Sequence, residues 1–393
     1  MQAIVVTFDR LATRLLGCYG NEWIETPNFD RLAAGCTVFD NHFTDSVGPR
    51  RGQSWLTGRH ALLPPAQPLA RPLGAALKSA GVVSSIISVE HASDPGWTSA
   101  GFERVQRITG SEGLEAHPSE VSFANLIRAG LESTRNSASP DEKRLTWLHA
   151  PEPSVPPEGF ATLYAEDFEE RGVVLNEIPR EDWSRQIAVA AGSMSLVDHW
   201  LGELVDGINK QQPTLLLITA ACGRSWADEF LATACAAQSG TAASVLRDME
   251  KRCPLIMSVF GTGLDSELEG VRCQRFVQPM DLAPTLLEWF QVSESTPEAG
   301  RSLLQEAISE QASRPEVFCG DDDYQFAIRN ADWNCLLRSA PTASKSAAIN
   351  GPSGDQFQLF SKPEDIWDVT DLATQFPEIC DEFAAKLSAF RRA

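Results

Sequence analysis

Apolar and polar positions alternate along this chain in blocks whose period switches between that of a strand and that of a helix. Ala3 to Phe8 is an unbroken apolar run rich in Ile and Val that ends at Asp9, the pattern of a strand buried on both faces of a sheet that helices cover. Thr26-Pro27 then sets a capping hydroxyl before a proline at a first helical position, and NFDRLAA stops at Gly35. That predicts a crossover helix. The pattern recurs with a helix from near Leu69 to Ala80, closing at Gly81 before the strand VVSSIISV, and a helix from near Phe123 to Leu131 before RLTWLHA. Between Asp182 and Asn209, residues such as Ile187, Met194, Trp200, Leu201 and Leu204 recur at helical spacing, and the strands LLLIT and PLIMSVF follow. Strands and helices in alternation imply an α/β sandwich around a mostly parallel central sheet.

Near Arg301 the texture changes. SEQASRPEV is polar and loop-like, and QFAIRN, NCLLRS and QFQLFS after it leave no room for crossover helices, so these three strands are expected to pair antiparallel. A final helix from about Thr374 to Phe390 completes the small C-terminal unit. The expected division is an α/β domain over residues 1–310 and an antiparallel β subdomain with a terminal helix over 311–393. SASPDEK and PEPSVPPEG read as exposed loops.

Charge narrows the partners. With 53 acidic against 33 basic residues the formal net charge is -20, a field that repels phosphate backbones and anionic membrane surfaces over a Debye length of about 8 Å. Nucleic acid and membranes are therefore not expected as partners, and a polyanion would need a local basic pocket. No stretch reaches the ~20 apolar residues of a membrane helix, and MQAIVVTFDR enters a strand at once, without the features of an export signal. The nine cysteines are odd in number, scattered and free of any C-x-x-C pair. That indicates neither a disulfide framework nor a zinc site, but reduced thiols in a cytoplasmic protein.

Several segments carry a family resemblance. AIVVTFDRLATRLLGCYGN, TPNFDRLAAGCTVFDNHF and VGPRRGQSWLTGR lie between Ala3 and Arg59, and LLLITAACGRSW runs from Leu215 to Trp226. With DHWLGEL from Asp198, CPLIMSVFGTG from Cys253, QPMDLAPTLL from Gln278, GRSLL from Gly300 and FSKPEDIWDVTDL from Phe360, the chain resembles the sulfatases of the alkaline phosphatase superfamily. The resemblance implies their fold. It also implies a divalent cation, usually calcium, held by oxygen ligands, and a Cys or Ser nucleophile in C/S-x-P-x-R that is oxidised to formylglycine.

Those functional positions are changed here. Asp9 aligns with the first metal-binding Asp, but Arg10, a cation without acceptor oxygens, stands at the second. Ala221-Cys222 replaces the Asp-His of T-S-D-H-G. Asp9 is thus the only ligand position kept, and an ion pair with Arg10 or a capping role is the simpler expectation for it. Counting back from Leu56 to Arg59 puts the nucleophile position at Gly48; one inserted residue makes it Val47, with Pro49 and Arg51 matching the motif. Two inserted residues reach Ser46, spaced to Arg50, whose bland alternative is a loop hydroxyl bonding local backbone. The substrate-binding P-H-x-P finds only Pro153-Ser154-Val155-Pro156, His149 is offset and expected to be packed, and the family Lys falls near Val245. Arg50, Arg51, Arg59 and His60 could make a basic patch for an oxyanion, or pair with acids such as Asp45. The run Asp321 to Asp323 lacks the spacing of a cation-binding loop and reads as solvated.

Loss of nucleophile, ligands and acid together removes functions that act jointly. The sequence therefore points to a catalytically degenerate sulfatase-like protein without a cofactor, retained to bind a small anionic ligand or a protein partner. The competing expectation is an active sulfuric or phosphoric ester hydrolase that uses Ser46 and calcium or another divalent cation.

Overall fold

The computed structural model describes residues 1–64, 71–97, 99–135, 142–164, 183–224, 246–262, 265–293, 300–309, 313–321, 324–339 and 356–392. Eight strands form the central sheet: β1 (Gln2–Arg10), β2 (Thr37–His42), β3 (Val83–Val89), β4 (Arg104–Ile108), β5 (Arg144–Ala150), β6 (Thr214–Cys222), β7 (Leu255–Phe260) and β8 (Arg272–Val277). Their order is β4-β3-β5-β1-β6-β7-β2-β8. All neighbours pair parallel except β7, which runs antiparallel to both β6 and β2. The sheet is thus the mostly parallel one expected, although β2, β4 and β8 were not anticipated and nothing in PLIMSVF signals a reversed direction.

β1 lies near the middle because its side chains are apolar on both faces. Ile4, Val6 and Phe8 enter one core with the helices Ser122–Arg135 and Trp183–Gly207, while Ala3 and Val5 enter a second core with Trp55, Trp97, Trp147 and Leu286. Burial of this kind stabilises by about 1.5–3 kcal/mol for each large side chain.

Two family-like segments explain themselves physically. Asp198, on the long helix, accepts the backbone N–H groups of Asn28 (3.1 Å) and Phe29 (2.7 Å), which open the helix Pro27–Ala34. The expected cap, Thr26, instead accepts the Gly17 N–H at 2.9 Å. Gly202 permits this close crossing, because a Cβ there would stand 2.6 Å from the Asn28 side chain. Asp198→Ala is therefore expected to cost about 1–3 kcal/mol by orphaning those donors, read as a lower urea midpoint; an unshifted midpoint would refute the capping role. In QPMDLAPTLL, buried Asp281 accepts the Gln278 N–H at 2.7 Å and both Arg314 nitrogens at 3.0 Å.

The second sheet is antiparallel, in the order β12-β11-β10-β9: β9 (Glu316–Gly320), β10 (Gln325–Asn330), β11 (Trp333–Arg338) and β12 (Gln356–Ser361). Its three expected strands pair as expected, and β9 adds a fourth where SRPEV read as loop. The helix Pro377–Phe390 covers one face through Cys380, Phe383 and Leu387. The sheets meet where Val47 N–H donates to Gly320 C=O at 3.0 Å and Gly320 N–H to Asp45 C=O at 3.2 Å. The helix expected from Leu69 spans Leu73–Ser79, with residues 65–70 outside the described residues. PEPSVPPEG is loop as far as Pro157 and then enters the one-turn helix Glu158–Ala161, and most of SASPDEK falls outside. Among the described residues no helix is long and apolar enough to cross a membrane, and the eight described cysteines are free.

Candidate functional site

Parallel register brings the carboxyl ends of β5, β1 and β6 together, with Thr7 opposite both His149 and Thr219 and Arg10 opposite Cys222. Asp9, Arg10, Ala221 and Cys222 therefore share one end of the sheet. Of the two simpler expectations for Asp9, the structure shows the capping role and not an ion pair with Arg10. Its carboxylate accepts the Ser93 N–H at 2.9 Å and the Ser93 hydroxyl, and Oδ1 lies 3.4 Å from His149 Nε2, close enough for charge but too poorly aligned for a hydrogen bond. Burial would raise this carboxyl, yet His149 and Ser93 together outweigh it and hold it below its ordinary value. Arg10 turns instead to Glu250, 3.6 Å away.

His149 is fully buried, as its packed reading requires. Its Nδ1 is 2.9 Å from the Thr7 hydroxyl, which also accepts Trp147 Nε1–H at 2.8 Å, and its ring meets those of Trp55 and Trp97 edge-on.

Ala221 and Cys222 are both about 1% exposed. Cys222 donates its thiol to Ser46 C=O at 3.6 Å. Burial pushes that thiol up to about 12, against the opposing charges of Arg10 and Arg51, so at neutral pH it carries its proton and is neither nucleophile nor ligand.

Among the candidate nucleophile positions, Ser46 is fully buried and its hydroxyl accepts the Gly48 N–H at 3.2 Å, the local backbone bond weighed against catalysis. Val47 packs against Leu246, Cys319 and Phe360. Gly48 C=O accepts the Arg51 N–H at 3.1 Å, and Arg51 Nε is buried without an acceptor among the described residues. Two members of the expected basic patch have partners elsewhere. His60 Nε2 is 3.0 Å from Phe318 C=O and its ring meets Phe390 at 4.8 Å, tying it to the C-terminal sheet and helix. Arg59 Nε donates to Pro64 C=O at 3.0 Å. Asp45 Oδ2 takes the Ser54 hydroxyl and the Ala61 N–H, while Oδ1 has no hydrogen-bond partner among the described residues.

Elsewhere Ser154 donates to Glu112 at 2.6 Å, and Asp321 accepts the Tyr324 and Gln325 N–H groups, both at 2.9 Å, as a turn cap. Val245, Asp322 and Asp323 lie outside the described residues. A hard divalent cation needs several oxygen ligands. Among the described residues at this end of the sheet, Asp9 is bonded by Ser93 beside an arginine, Glu250 faces Arg10, and Asp45 is taken by Ser54 and Ala61, and no group of three or more His, Cys, Asp or Glu suited to a metal occurs. The donor set does not fit the family's calcium. Sequence reasoning missed the Ser93 and His149 contacts, whose one signal is that RLTWLHA ends at the same edge of a parallel sheet as β1.

No curated protein matches the chain. Its fold is similar to that of a protein solved with its substrate D-glucosamine-2-N,6-O-disulfate, at 14% identity and TM-score 0.71 over 99% of this chain and 97% of that one. It is also similar to the phosphonate monoester hydrolase of Agrobacterium radiobacter, at 14% identity and TM-score 0.69 over 100% and 95%. A 2-O GAG sulfatase is 14% identical at TM-score 0.67 over 98% and 91%. The model of the family described as Sulfatase matches residues 2–292, well over half of a chain whose sheet register sets Arg10 beside Cys222, and this protein belongs to the sulfatase family.

Proposed function

We propose that this sulfatase-family protein no longer hydrolyses esters and is retained to bind a small anionic ligand or a protein partner. The observation that carries this reading is the closure of Asp9, the one ligand position kept, by Ser93 and His149. Three further losses support it: a cation at the second ligand position, an inert buried thiol where the Asp-His pair would stand, and no accessible hydroxyl or thiol between Ser46 and Gly48. Nucleophile activation and electrostatic stabilisation of the transition state would have to be rebuilt together. Free buried thiols support a reducing, cytoplasmic location, and the acidic surface disfavours nucleic acid and anionic membranes.

Elemental analysis of protein purified without chelator is expected to find no stoichiometric metal. Aryl sulfate and aryl phosphate are expected to persist with added calcium, manganese or zinc. Near-stoichiometric metal with turnover that Ser46→Ala abolishes would overturn the proposal and restore the hydrolase.

A further inference from the structure

The cleft between the edge of the central sheet and the C-terminal sheet encloses about 610 Å³, and its wall includes Arg14, Arg252, Arg272 and Arg329 against only Asp40 and Asp248 as carboxylates. In a chain of net charge -20 this is a local cationic excess. Asp248 serves two of these arginines, Arg252 Nη2 at 3.0 Å and Arg329 Nε at 3.1 Å, and Asp40 serves Arg272. Arg14 makes no ion pair among the described residues, although Asp248 acts on its charge from further off: its Nε meets only the Met249 sulfur at 2.6 Å, a weak acceptor, and its guanidinium lies 4.1 Å over the Trp367 ring. Arg329 is 5% exposed, and its Nη1 finds no acceptor among the described residues. A buried guanidinium nitrogen left without an acceptor is costly.

We infer that this cleft is an anion-binding site, in which Arg14, Arg252 and Arg329 receive the phosphate or sulfate group of a small organic ester. Guanidinium forks match tetrahedral oxyanions by paired N–H···O bonds. The volume exceeds what one oxyanion fills and falls within the ~300–1,000 Å³ of small-molecule sites, leaving room for a ring-sized body beside Phe276 and Ile366. No residue of the cleft wall is among the aligned catalytic positions, so the inference deepens the anion-binding part of the reading above by naming a site and does not depend on whether ester hydrolysis is lost.

Isothermal titration of the full chain at fixed ionic strength, in chloride, tests it with four probes: inorganic phosphate, inorganic sulfate, 4-nitrophenyl phosphate and 4-nitrophenyl sulfate. The expected result is one saturable site, tighter for the aryl esters than for the free ions. Arg14→Gln should weaken it by roughly tenfold or more, the size of a lost charge-assisted bond. Arg272→Gln, at an exposed position, should weaken it less, and Arg51→Gln should not alter it. Preference between the phosphate and sulfate probes identifies the natural ester. Should Arg14→Gln lower the unliganded melting temperature, the ligand-induced rise in melting temperature of wild type and Arg272→Gln carries the same comparison. Absence of saturation throughout the millimolar range, or binding abolished by Arg51→Gln and kept by Arg14→Gln, overturns the cleft assignment. Turnover of the aryl esters, scored in the same samples, bears on the lost-hydrolysis reading alone.

Discussion

Replacing Asp248 with alanine is expected to cost about 3–5 kcal/mol, the penalty for removing one partner from a buried ionic network, and so to consume much of a typical stability of 5–15 kcal/mol. Asp248 is 2% exposed and is bonded by Arg252 and Arg329. Its own N–H donates to Asp368 Oδ2 at 2.6 Å. Burial would raise its carboxyl, but Arg252, Arg329, Lys251 and Lys362 overwhelm that and hold it far below the usual range. Lys251, fully buried on the same helical turn and bonded to Asn334, is lowered to about 8 by burial even with Asp248 and Asp368 supporting its charge. Without Asp248, three buried cations share one fewer carboxylate. Urea unfolding should show a large drop in midpoint with an unchanged slope. Asp248→Asn, which keeps the shape and an acceptor, should lose less. A loss below about 1 kcal/mol for the alanine variant, the range of an exposed pair, would mean that the network is not what joins the two sheets here.

That network was invisible in the sequence, although each of its strands was partly legible. β1 could be read because a strand covered on both faces is apolar at every position. β4, RVQRI, could not be read, because four of its five residues are exposed and an edge strand carries no burial pattern. β8 and β9 are short and mixed, and β9 begins inside a segment whose Ser, Arg and Pro read as loop. The direction of β7 was hidden because an apolar run buried in a sheet looks the same in either orientation. At the site, what residue identity alone decides was legible: Arg10 has no acceptor oxygen, Gly48 no side chain and Ala221 no polar group, wherever they point. The partners of Asp9 were not legible. Ser93 and His149 reach it only through the order β3-β5-β1, and strand order is a property of tertiary packing that neither propensity nor spacing encodes. His60 failed for the same reason, since its neighbours Phe318 and Phe390 come from the far end of the chain.

The acid side of the stability profile should be set by a histidine rather than by the carboxylates. His42, at the end of β2, is fully buried, with Nδ1 3.3 Å from the Thr219 hydroxyl and Nε2 without a partner among the described residues. Burial lowers it to about 4, against Asp281 and nearby backbone groups that favour the charged form. In the unfolded chain it titrates near 6.5. Between those values the unfolded chain binds the extra proton, so the folded state has its full stability above about pH 6.5 and loses it as the pH falls towards 4. The loss is roughly 3 kcal/mol when complete. His60, lowered by burial as well, acts in the same direction. Asp9 and Asp248, held below their ordinary value, contribute only below about pH 4. Neutralising part of a net charge of -20 relieves repulsion as the pH falls, so the informative quantity is the difference between wild type and His42→Asn, in which that relief cancels. The gap in unfolding free energy should shift in favour of the variant by about 2 kcal/mol or more between about pH 7.5 and about pH 5. A gap that stays constant over that range would mean that His42 is solvated or already paired in the folded protein, and that acid sensitivity arises elsewhere.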